Sequence, residues 1–193
     1  VIRGRVDLVT DELDASHPAH DDLREVRAAA MRASAMAADL LAFGRRQPVS
    51  TETHSLHEFV NQLRRQMKLM AGDRAALTIT LDATDDRVSI DVVKFESVLL
   101  NLVANARNAM PAGGRIDIET WNPVLATGAP PRVALAVRDT GQGMSPEVLE
   151  RAFEPFFTTR RDHGGSGMGL SSAHGIVQAM GGSIRAESTP GQG

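Results

Sequence analysis

Four short motifs in the second half of the chain carry residue types suited to holding the parts of a magnesium nucleotide. They occupy residues 101–106, 139–144, 153–157 and 165–170, in that order. The first offers amide oxygens, which are hard ligands of the kind Mg²⁺ prefers. The second offers a carboxylate that accepts hydrogen bonds, and the fourth offers glycines before a helix, whose N–H groups suit phosphate. Each motif alone is weak, but their order and spacing favour a single site.

The first motif places Asn101, Asn105 and Asn108 on one face of a helix predicted over residues 91–110, ended by Pro111. Side chains three and four residues apart share a helix face, so the amides form a polar stripe. The opposite face is apolar and would pack on a sheet; it consists of Val98, Leu99, Leu102, Val103, Ala106 and Ala109. Taken alone, such a stripe is more often simply solvated, and only the other motifs favour a magnesium site.

The second motif begins with Asp139, directly after a strand predicted over residues 132–138. Gly141 and Gly143 give a tight turn, where a flat ring can approach the backbone. The Asp139 carboxylate would then accept a hydrogen bond from an exocyclic amine, which selects adenine over guanine. In isolation, the same Asp-x-Gly-x-Gly pattern is more often just a turn.

The last motif carries Gly165, Gly167 and Gly169 and opens a helix predicted to run to Met180. Backbone N–H groups at such a helix start can bind phosphate oxygens. The spacing also fits a loose dinucleotide-binding fingerprint, which we reject because no strand immediately precedes it and no βαβ unit surrounds it. The charged residues 158–164 form a loop able to fold over a triphosphate. The three phenylalanines before that loop fit either a hydrophobic anchor or a ligand contact; they are Phe153, Phe156 and Phe157.

Together the motifs resemble the N, G1, F and G2 boxes of the GHKL-type ATP-binding domain of sensor histidine kinases. By this resemblance Asn105 would ligate Mg²⁺, Asn101 would support the phosphates, Asp139 would bind the adenine amine, and the three glycines of the last motif would shape a lid over ATP. Arg160 stands where the family usually has lysine, which keeps the charge. His174 would either face the phosphates or be an ordinary helix residue. The rest of the predicted nucleotide site is Asn108, Gly141, Gly143, Met144, Phe157, Thr159, Ser166, Met168 and Leu170.

Residues 1–47 are predicted to form a helical hairpin with its loop over residues 14–21. The second helix repeats small or apolar residues at alternating intervals of three and four, which indicates a packed seam. The seam residues are Leu23, Val26, Ala30, Ala33, Ala37, Leu40 and Gly44, preceded in the first helix by Ile2, Val6, Val9 and Leu13. Two helices cannot enclose a core, so we expect a homodimer that forms a four-helix bundle through residues 1–47.

The predicted fold class is α+β, with the helical hairpin followed by an α/β-sandwich ATP-binding domain over residues 54–193. A polar linker is predicted over residues 47–53, followed by a capping box from Ser55 to Glu58 and a helix to about Met70. The apolar face of that helix is Leu56, Phe59, Leu63 and Met67. Further strands are predicted over residues 77–81, 115–120 and 183–188, with a short helix capped by Ser145 and started by Pro146. Both ends of the chain look cut, so the first helix and the last strand are expected to be truncated.

Composition excludes several classes of function. A net charge of -3, with 21 basic and 24 acidic residues intermixed, gives no footprint for nucleic acid or an anionic membrane. The absence of cysteine excludes disulfides and thiolate metal sites. His17, His54, His57 and His163 lack metal-ligand spacing and are interpreted as surface residues. No segment approaches the roughly 18 apolar residues of a membrane span, so this part is expected to be cytoplasmic, whether or not the parent is membrane-anchored.

The resemblance implies an ATP-dependent protein-histidine kinase whose γ-phosphoryl group passes to a histidine and then to an aspartate of a response-regulator receiver domain. Residues 40–46 look like the end of the second hairpin helix, which places the acceptor histidine upstream of Val1; His20 lacks the following Pro or Asn of an acceptor motif. Asn101, Asn105 and Arg160 are the expected catalytic residues. Two alternatives stay open: a related GHKL ATPase or serine kinase, and a non-catalytic phosphotransfer scaffold.

Overall fold

The computed structural model describes residues 2–14, 17–44, 49–124, 128, 130–160 and 165–193. The side chains of residues 2, 3, 31, 32 and 34–44 lie outside this description. The helices are α1 Ile2–Glu12, α2 Ala19–Gly44, α3 Leu56–Ala71, α4 Val92–Ala109, α5 Pro146–Glu150 and α6 Gly169–Ala179. The strands are β1 Glu52–Ser55, β2 Ala75–Leu81, β3 Arg87–Ile90, β4 Gly114–Trp121 and β5 Ala134–Asp139.

The main sheet has three strands in the order β2-β4-β5. Strands β2 and β4 are parallel, with Leu77 opposite Ile116, and β4 and β5 are antiparallel, with Ile116 opposite Asp139. The sheet is therefore mixed, as predicted. Its register brings Asp139, the last residue of β5, beside the start of β4, on the side where α4 ends.

Helices α3 and α4 supply most of the core over this sheet. The predicted apolar face of α3 is buried at all four positions, Leu56, Phe59, Leu63 and Met67. From the sheet, Ile116 and Ile118 are completely buried and belong to the same cluster. Burial of apolar side chains is the main force that holds such a layer together, so the sequence periodicity and the packing agree.

Side-chain caps fix where the helices begin. The Ser55 hydroxyl accepts from the Glu58 amide at 3.1 Å, as the predicted capping box requires. The Asp91 carboxylate accepts from the Lys94 amide at 3.1 Å, so α4 begins directly after Asp91. Ser145 caps α5 with proline in the first turn, as predicted. These local bonds satisfy N–H groups that a helix start leaves unpaired.

The structure corrects four predictions about local structure. The polar linker ends earlier than predicted, because β1 begins at Glu52 and pairs antiparallel with β3, another strand that was not predicted. The hairpin loop also ends earlier, since α2 begins at Ala19. The strand predicted over residues 183–188 belongs to neither sheet of the described residues, because it forms no ladder with a neighbouring strand. His57 is not a simple surface residue, since its Nε2 lies 2.9 Å from the hydroxyl of the buried Thr120.

The helical hairpin packs α1 against α2. Val6 is buried, while Val9 of the predicted seam is 44% exposed and Val26 is 46% exposed. Arg27 and Asp7 join the helices through an ion pair of 3.4 Å. The seam side chains of Ala37, Leu40 and Gly44 lie outside the described residues. None of the described helices is long and apolar enough to cross a membrane.

Candidate nucleotide site

The asparagine stripe lies on the side of α4 that faces away from the core. Val98, Leu99, Val103 and Ala106 are buried, while Leu102 and Ala109 are half-buried. Asn101 and Asn108 are half-buried and Asn105 is exposed. The helix therefore has one face that packs and one polar face that can meet a ligand, which confirms the predicted division between the two faces.

Helix α6 begins directly beside two of these asparagines. A Cβ atom built on Gly169 would lie 3.7 Å from Asn105 Nδ2 and 3.9 Å from Asn101 Oδ1. Met168, the residue before the helix, provides no side-chain cap. The N–H groups of the first turn of α6 and the amides of α4 thus border the same space, and a long side chain at position 169 would extend into it.

The Asp139 turn is built against the other end of the stripe. Asp139 Oδ1 accepts a hydrogen bond of 2.8 Å from the Gly141 amide, which directs one oxygen to the turn and leaves the other for a ligand. The Gln142 amide donates to the Ala109 carbonyl at 3.1 Å, and a Cβ on Gly141 would fall 2.7 Å from the Ala109 Cβ. This explains why residue 141 is a glycine, because any side chain there would collide with the end of α4.

The segment after residue 187 wraps around this turn. Gly143 has φ +64°, and a Cβ on it would fall 2.2 Å from the Thr189 carbonyl oxygen. The Met144 amide donates to the Ser188 hydroxyl at 2.8 Å, and the Gly191 amide donates to the Gln142 carbonyl at 2.8 Å. Sequence reasoning missed the contacts between this segment and the Asp139 turn. The only sign of them in the sequence was the pair of glycines at 191 and 193, both of which adopt positive φ.

The described ends of the predicted lid are held by backbone contacts. The Phe156 amide donates to the Gly167 carbonyl at 3.0 Å, and the Gly165 amide donates to the Arg160 carbonyl at 3.1 Å. The Thr158 hydroxyl accepts from the Arg160 amide at 3.0 Å. Residues 161–164, including His163, lie outside the described residues. Arg160 is therefore fixed at the point where the predicted phosphate loop begins.

The three phenylalanines have different environments. The Phe153 ring packs against the His174 ring at a centroid distance of 5.3 Å, and the Arg151 guanidinium lies 4.3 Å from the centre of the Phe157 ring. Phe156 is 52% exposed. The predicted role as a hydrophobic anchor for the loop thus fits Phe153 and Phe157, and it does not fit the exposed Phe156.

Other predicted site residues occupy varied positions. His174 Nε2 lies 3.2 Å from Gln178 Nε2, so the contacts of this ring are those of an ordinary helix residue, and its phosphate contact stays a prediction. The Met168 side chain is buried, whereas Thr159 is exposed and Leu170 is half-buried. Ser166 is half-buried, and its hydroxyl accepts from the Met168 amide at 3.3 Å.

Comparison with known proteins agrees with this geometry. Residues 90–193 match the family described as "Histidine kinase-, DNA gyrase B-, and HSP90-like ATPase". The chain belongs to this family of ATPases, and it has the family's α/β fold. It is 37% identical over 196 residues to "Sensor kinase CckA" of Brucella abortus (strain 2308), in an alignment that covers 97% of the chain and 21% of that relative. The predicted resemblance to sensor histidine kinases is thereby confirmed, for a chain that spans about a fifth of that relative's length.

Two solved structures share the fold over almost the whole chain. Full-length ShkA in complex with AMPPNP superposes with a TM-score of 0.73 at 21% identity, covering 99% of this chain and 40% of that one. Histidine kinase ThkA in complex with the response regulator protein TrrA gives a TM-score of 0.67 at 22% identity, covering 99% of this chain and 54% of that one. At these identities the likeness concerns the fold, which includes the hairpin as well as the ATPase domain.

Proposed function

We propose that this chain is the catalytic core of a sensor histidine kinase that binds Mg-ATP through the candidate nucleotide site. The observation that carries the proposal is the approach of Gly169 to Asn101 and Asn105, at 3.7 to 3.9 Å from the position of a Cβ. That approach joins the phosphate-binding helix start to the amide stripe, while the Asp139 turn closes the other end of the same stripe. We place adenine at the Asp139 turn and the phosphates at the start of α6, at the two ends of the stripe.

The residues present fit a magnesium ion bound together with ATP. Mg²⁺ takes few ligands from protein and the rest from phosphate and water, so one exposed amide oxygen is sufficient. Asn105 is exposed on the stripe and would supply that oxygen, while Asn101 would hold the phosphates. The ion, when bound, would neutralise negative charge on the phosphates.

Catalysis would rest on positioning and on charge. In phosphoryl transfer the attacking and leaving oxygen or nitrogen atoms lie roughly in line, and the protein contributes mainly electrostatic stabilisation. The first N–H groups of α6 would donate to phosphate oxygens, and Arg160 would add a positive charge. The acceptor histidine would come from a segment upstream of Val1, and an aspartate of a receiver domain would receive the phosphoryl group next. ThkA, whose fold this chain shares, was solved with its response regulator, which supports a partner of that kind.

The hairpin, residues 1–47, would be the dimerisation and phosphotransfer domain, and residues 54–193 the ATP-binding domain. Exposed apolar side chains on both helices support a homodimeric four-helix bundle: Leu8 is 58% exposed, and Val9 and Val26 are nearly as exposed. Val9 and Val26 belong to the predicted seams, and exposed apolar seam residues are the usual contacts of a bundle interface. The partner helices would cover them.

The test is to incubate the intact parent protein with γ-labelled Mg-ATP and to characterise the phosphorylated residue. We expect an acid-labile, alkali-stable label that maps to a peptide before Val1. The control variant is Asp117→Asn, which removes a carboxylate of β4 that pairs with Arg115 outside the site and should phosphorylate normally, unlike Asp139→Asn. An acid-stable label on serine or threonine would instead indicate a related serine kinase. Binding of ATP without any label would favour an ATPase or a scaffold.

A further inference from the structure

Arg107, near the end of α4, makes two contacts that the proposed site does not use. Its Nη2 donates to Asn108 Oδ1 at 3.2 Å, and its Nη1 donates to the Met70 carbonyl at 3.4 Å. Met70 lies in the last turn of α3, so one guanidinium connects the ends of two helices. Because the Met70 carbonyl holds one side of that guanidinium, its other side can hold the Asn108 side chain, a member of the asparagine stripe.

The hydrogen bond from Arg107 limits which groups the Asn108 amide can bind. An asparagine side chain has one acceptor oxygen and one NH₂ group, and a guanidinium can only donate. With one lone pair of Oδ1 held by Arg107, most of the hydrogen-bonding capacity left on the Asn108 side chain is the two donors of its NH₂ group. The positive charge of the guanidinium beside that oxygen also disfavours a cation there. Asn108 is thus suited to donate to phosphate or sugar oxygens, whereas Asn105 is the proposed metal ligand.

The surroundings favour an anionic ligand. Arg107 and Asn108 line an open cavity of about 410 Å³ between the ends of α3 and α4. Arg74 and Arg160 also line it, and Asp73 is the only carboxylate among its lining residues. Asn108 belongs both to this lining and to the asparagine stripe, so the cavity adjoins the proposed nucleotide site. The excess of positive charge attracts acceptor groups.

We propose that Arg107 is a positioning residue that orients the Asn108 amide as a hydrogen-bond donor to the bound nucleotide. This inference rests on the proposed function, since it presumes ATP in the adjoining site. It assigns no contact between Arg107 and the nucleotide. The effect of Arg107 on binding must therefore pass through Asn108.

A double-mutant cycle on the 193-residue chain tests this, with the dissociation constant of Mg-ATP measured by calorimetry. Arg107→Met keeps the length of the side chain but removes its donors, and should weaken binding about 3- to 10-fold, the range of one hydrogen bond. The same change in an Asn108→Ala background should have no further effect. Arg64→Met is the matched control, because Arg64 donates to Asn61 at 3.2 Å on the exposed face of α3, and it should bind like the unmodified chain.

Two results would overturn the inference while leaving the proposed function intact. The first is unchanged affinity in Arg107→Met. The second is that Arg107→Met causes an equal loss of Mg-ATP affinity with Asn108 present and in the Asn108→Ala background. That result would mean that Arg107 acts through its hydrogen bond to Met70 instead. If the unmodified chain fails to bind Mg-ATP at millimolar concentration, the proposed function itself fails, so the two failures are distinguishable.

Discussion

Phe156 and Gly167 both adopt left-handed backbone conformations and are joined by a 3.0 Å hydrogen bond from the Phe156 amide to the Gly167 carbonyl. Their φ values are +66° and +69°, and Phe156 is the only non-glycine residue with positive φ in the described part of the chain. A Cβ on Gly167 would fall 2.5 Å from the Phe156 carbonyl carbon. The two residues thus fix each other where the predicted lid starts and ends.

Gly167→Ala should therefore disrupt the end of the predicted lid. The new methyl group meets the Phe156 backbone, so we expect ATP affinity to fall by about tenfold or more. The measurement is calorimetric titration with Mg-ATP. Gly181→Ala is the control, because Gly181 has φ +76° with no atom within 4 Å of its Cβ; it should cost about 1 kcal/mol in unfolding free energy from backbone strain alone and leave affinity unchanged. Equal losses of affinity in both variants would contradict the role of this contact.

Gly169→Leu should block the phosphate end of the site. The side chain would enter the space beside Asn101 and Asn105, and we expect phosphorylation to be lost and ATP affinity to fall at least about tenfold. Both are measured against Gly175→Leu on the same helix, where the Cβ has no atom within 4 Å. That control should gain roughly 0.5 to 1 kcal/mol of stability from the removal of a helix-interior glycine and keep its affinity. Normal ATP binding by Gly169→Leu would exclude this space as the phosphate site.

Asp139→Asn should preserve the turn and abolish adenine binding. The amide oxygen can still accept from the Gly141 amide, so the fold should survive, while its NH₂ group opposes the exocyclic amine of adenine. We expect phosphorylation to be lost with little change in the thermal unfolding temperature. Wild-type phosphorylation would sink the assignment of Asp139 to the base.

Asn105→Ala should likewise abolish phosphorylation, because it removes the proposed magnesium ligand from an exposed position at little cost to stability. Labelled ATP and a circular-dichroism melt measure the two properties. Undiminished phosphorylation at every magnesium concentration would show that another residue holds the ion.

Asp86→Asn should lower stability in a pH-dependent manner. The Ser55 hydroxyl donates to the Asp86 carboxylate, as does the His57 amide at 3.1 Å. The hydrogen bond from Ser55 is the main reason that the pKa of Asp86 lies below its ordinary value. A carboxylate with a lowered folded-state pKa stabilises the fold above its unfolded-state pKa, and that contribution is lost as the pH falls through the folded-state value. The difference in unfolding free energy between wild type and Asp86→Asn should thus be largest at neutral pH and shrink in acid, below the ordinary carboxyl range. Urea unfolding at several pH values would measure it. A difference that does not change with pH would contradict this prediction.

Sequence reasoning succeeded where a pattern is local. The helix from Val92 to Ala109 follows from its apolar period and its Asp91 cap, and the Gly141 turn follows from glycines directly after a strand. The same reasoning missed β1 and β3, because each has four residues and pairs only with the other among the described strands. The paired residues are far apart in sequence, from 32 positions for Ser55 and Arg87 (87 − 55) to 38 for Glu52 and Ile90 (90 − 52). Long-range pairing of this kind leaves no periodic signal in so short a segment.

The features of the candidate site also divide into those that local sequence predicts and those that depend on tertiary packing. The residue types of the stripe, the Asp139 turn and the glycine loop could be predicted from spacing together with a family resemblance. The contacts of Arg107 with Met70 and Asn108 could not, because they depend on how α3 and α4 end relative to each other. The burial of Met168 and the contact of His174 with Phe153 were equally invisible, since both depend on tertiary packing rather than on local propensity.

The close fit between Gly143 and the Thr189 carbonyl also limits how this region can vary in length. The contact involves only backbone atoms of residue 189, so many side chains should be acceptable at that position. An inserted or deleted residue between Ser188 and Gly193 should be tolerated less well, because it would shift the backbone groups of Thr189 and Gly191 that contact the Asp139 turn. Natural variants should accordingly differ in residue type here far more readily than in residue number.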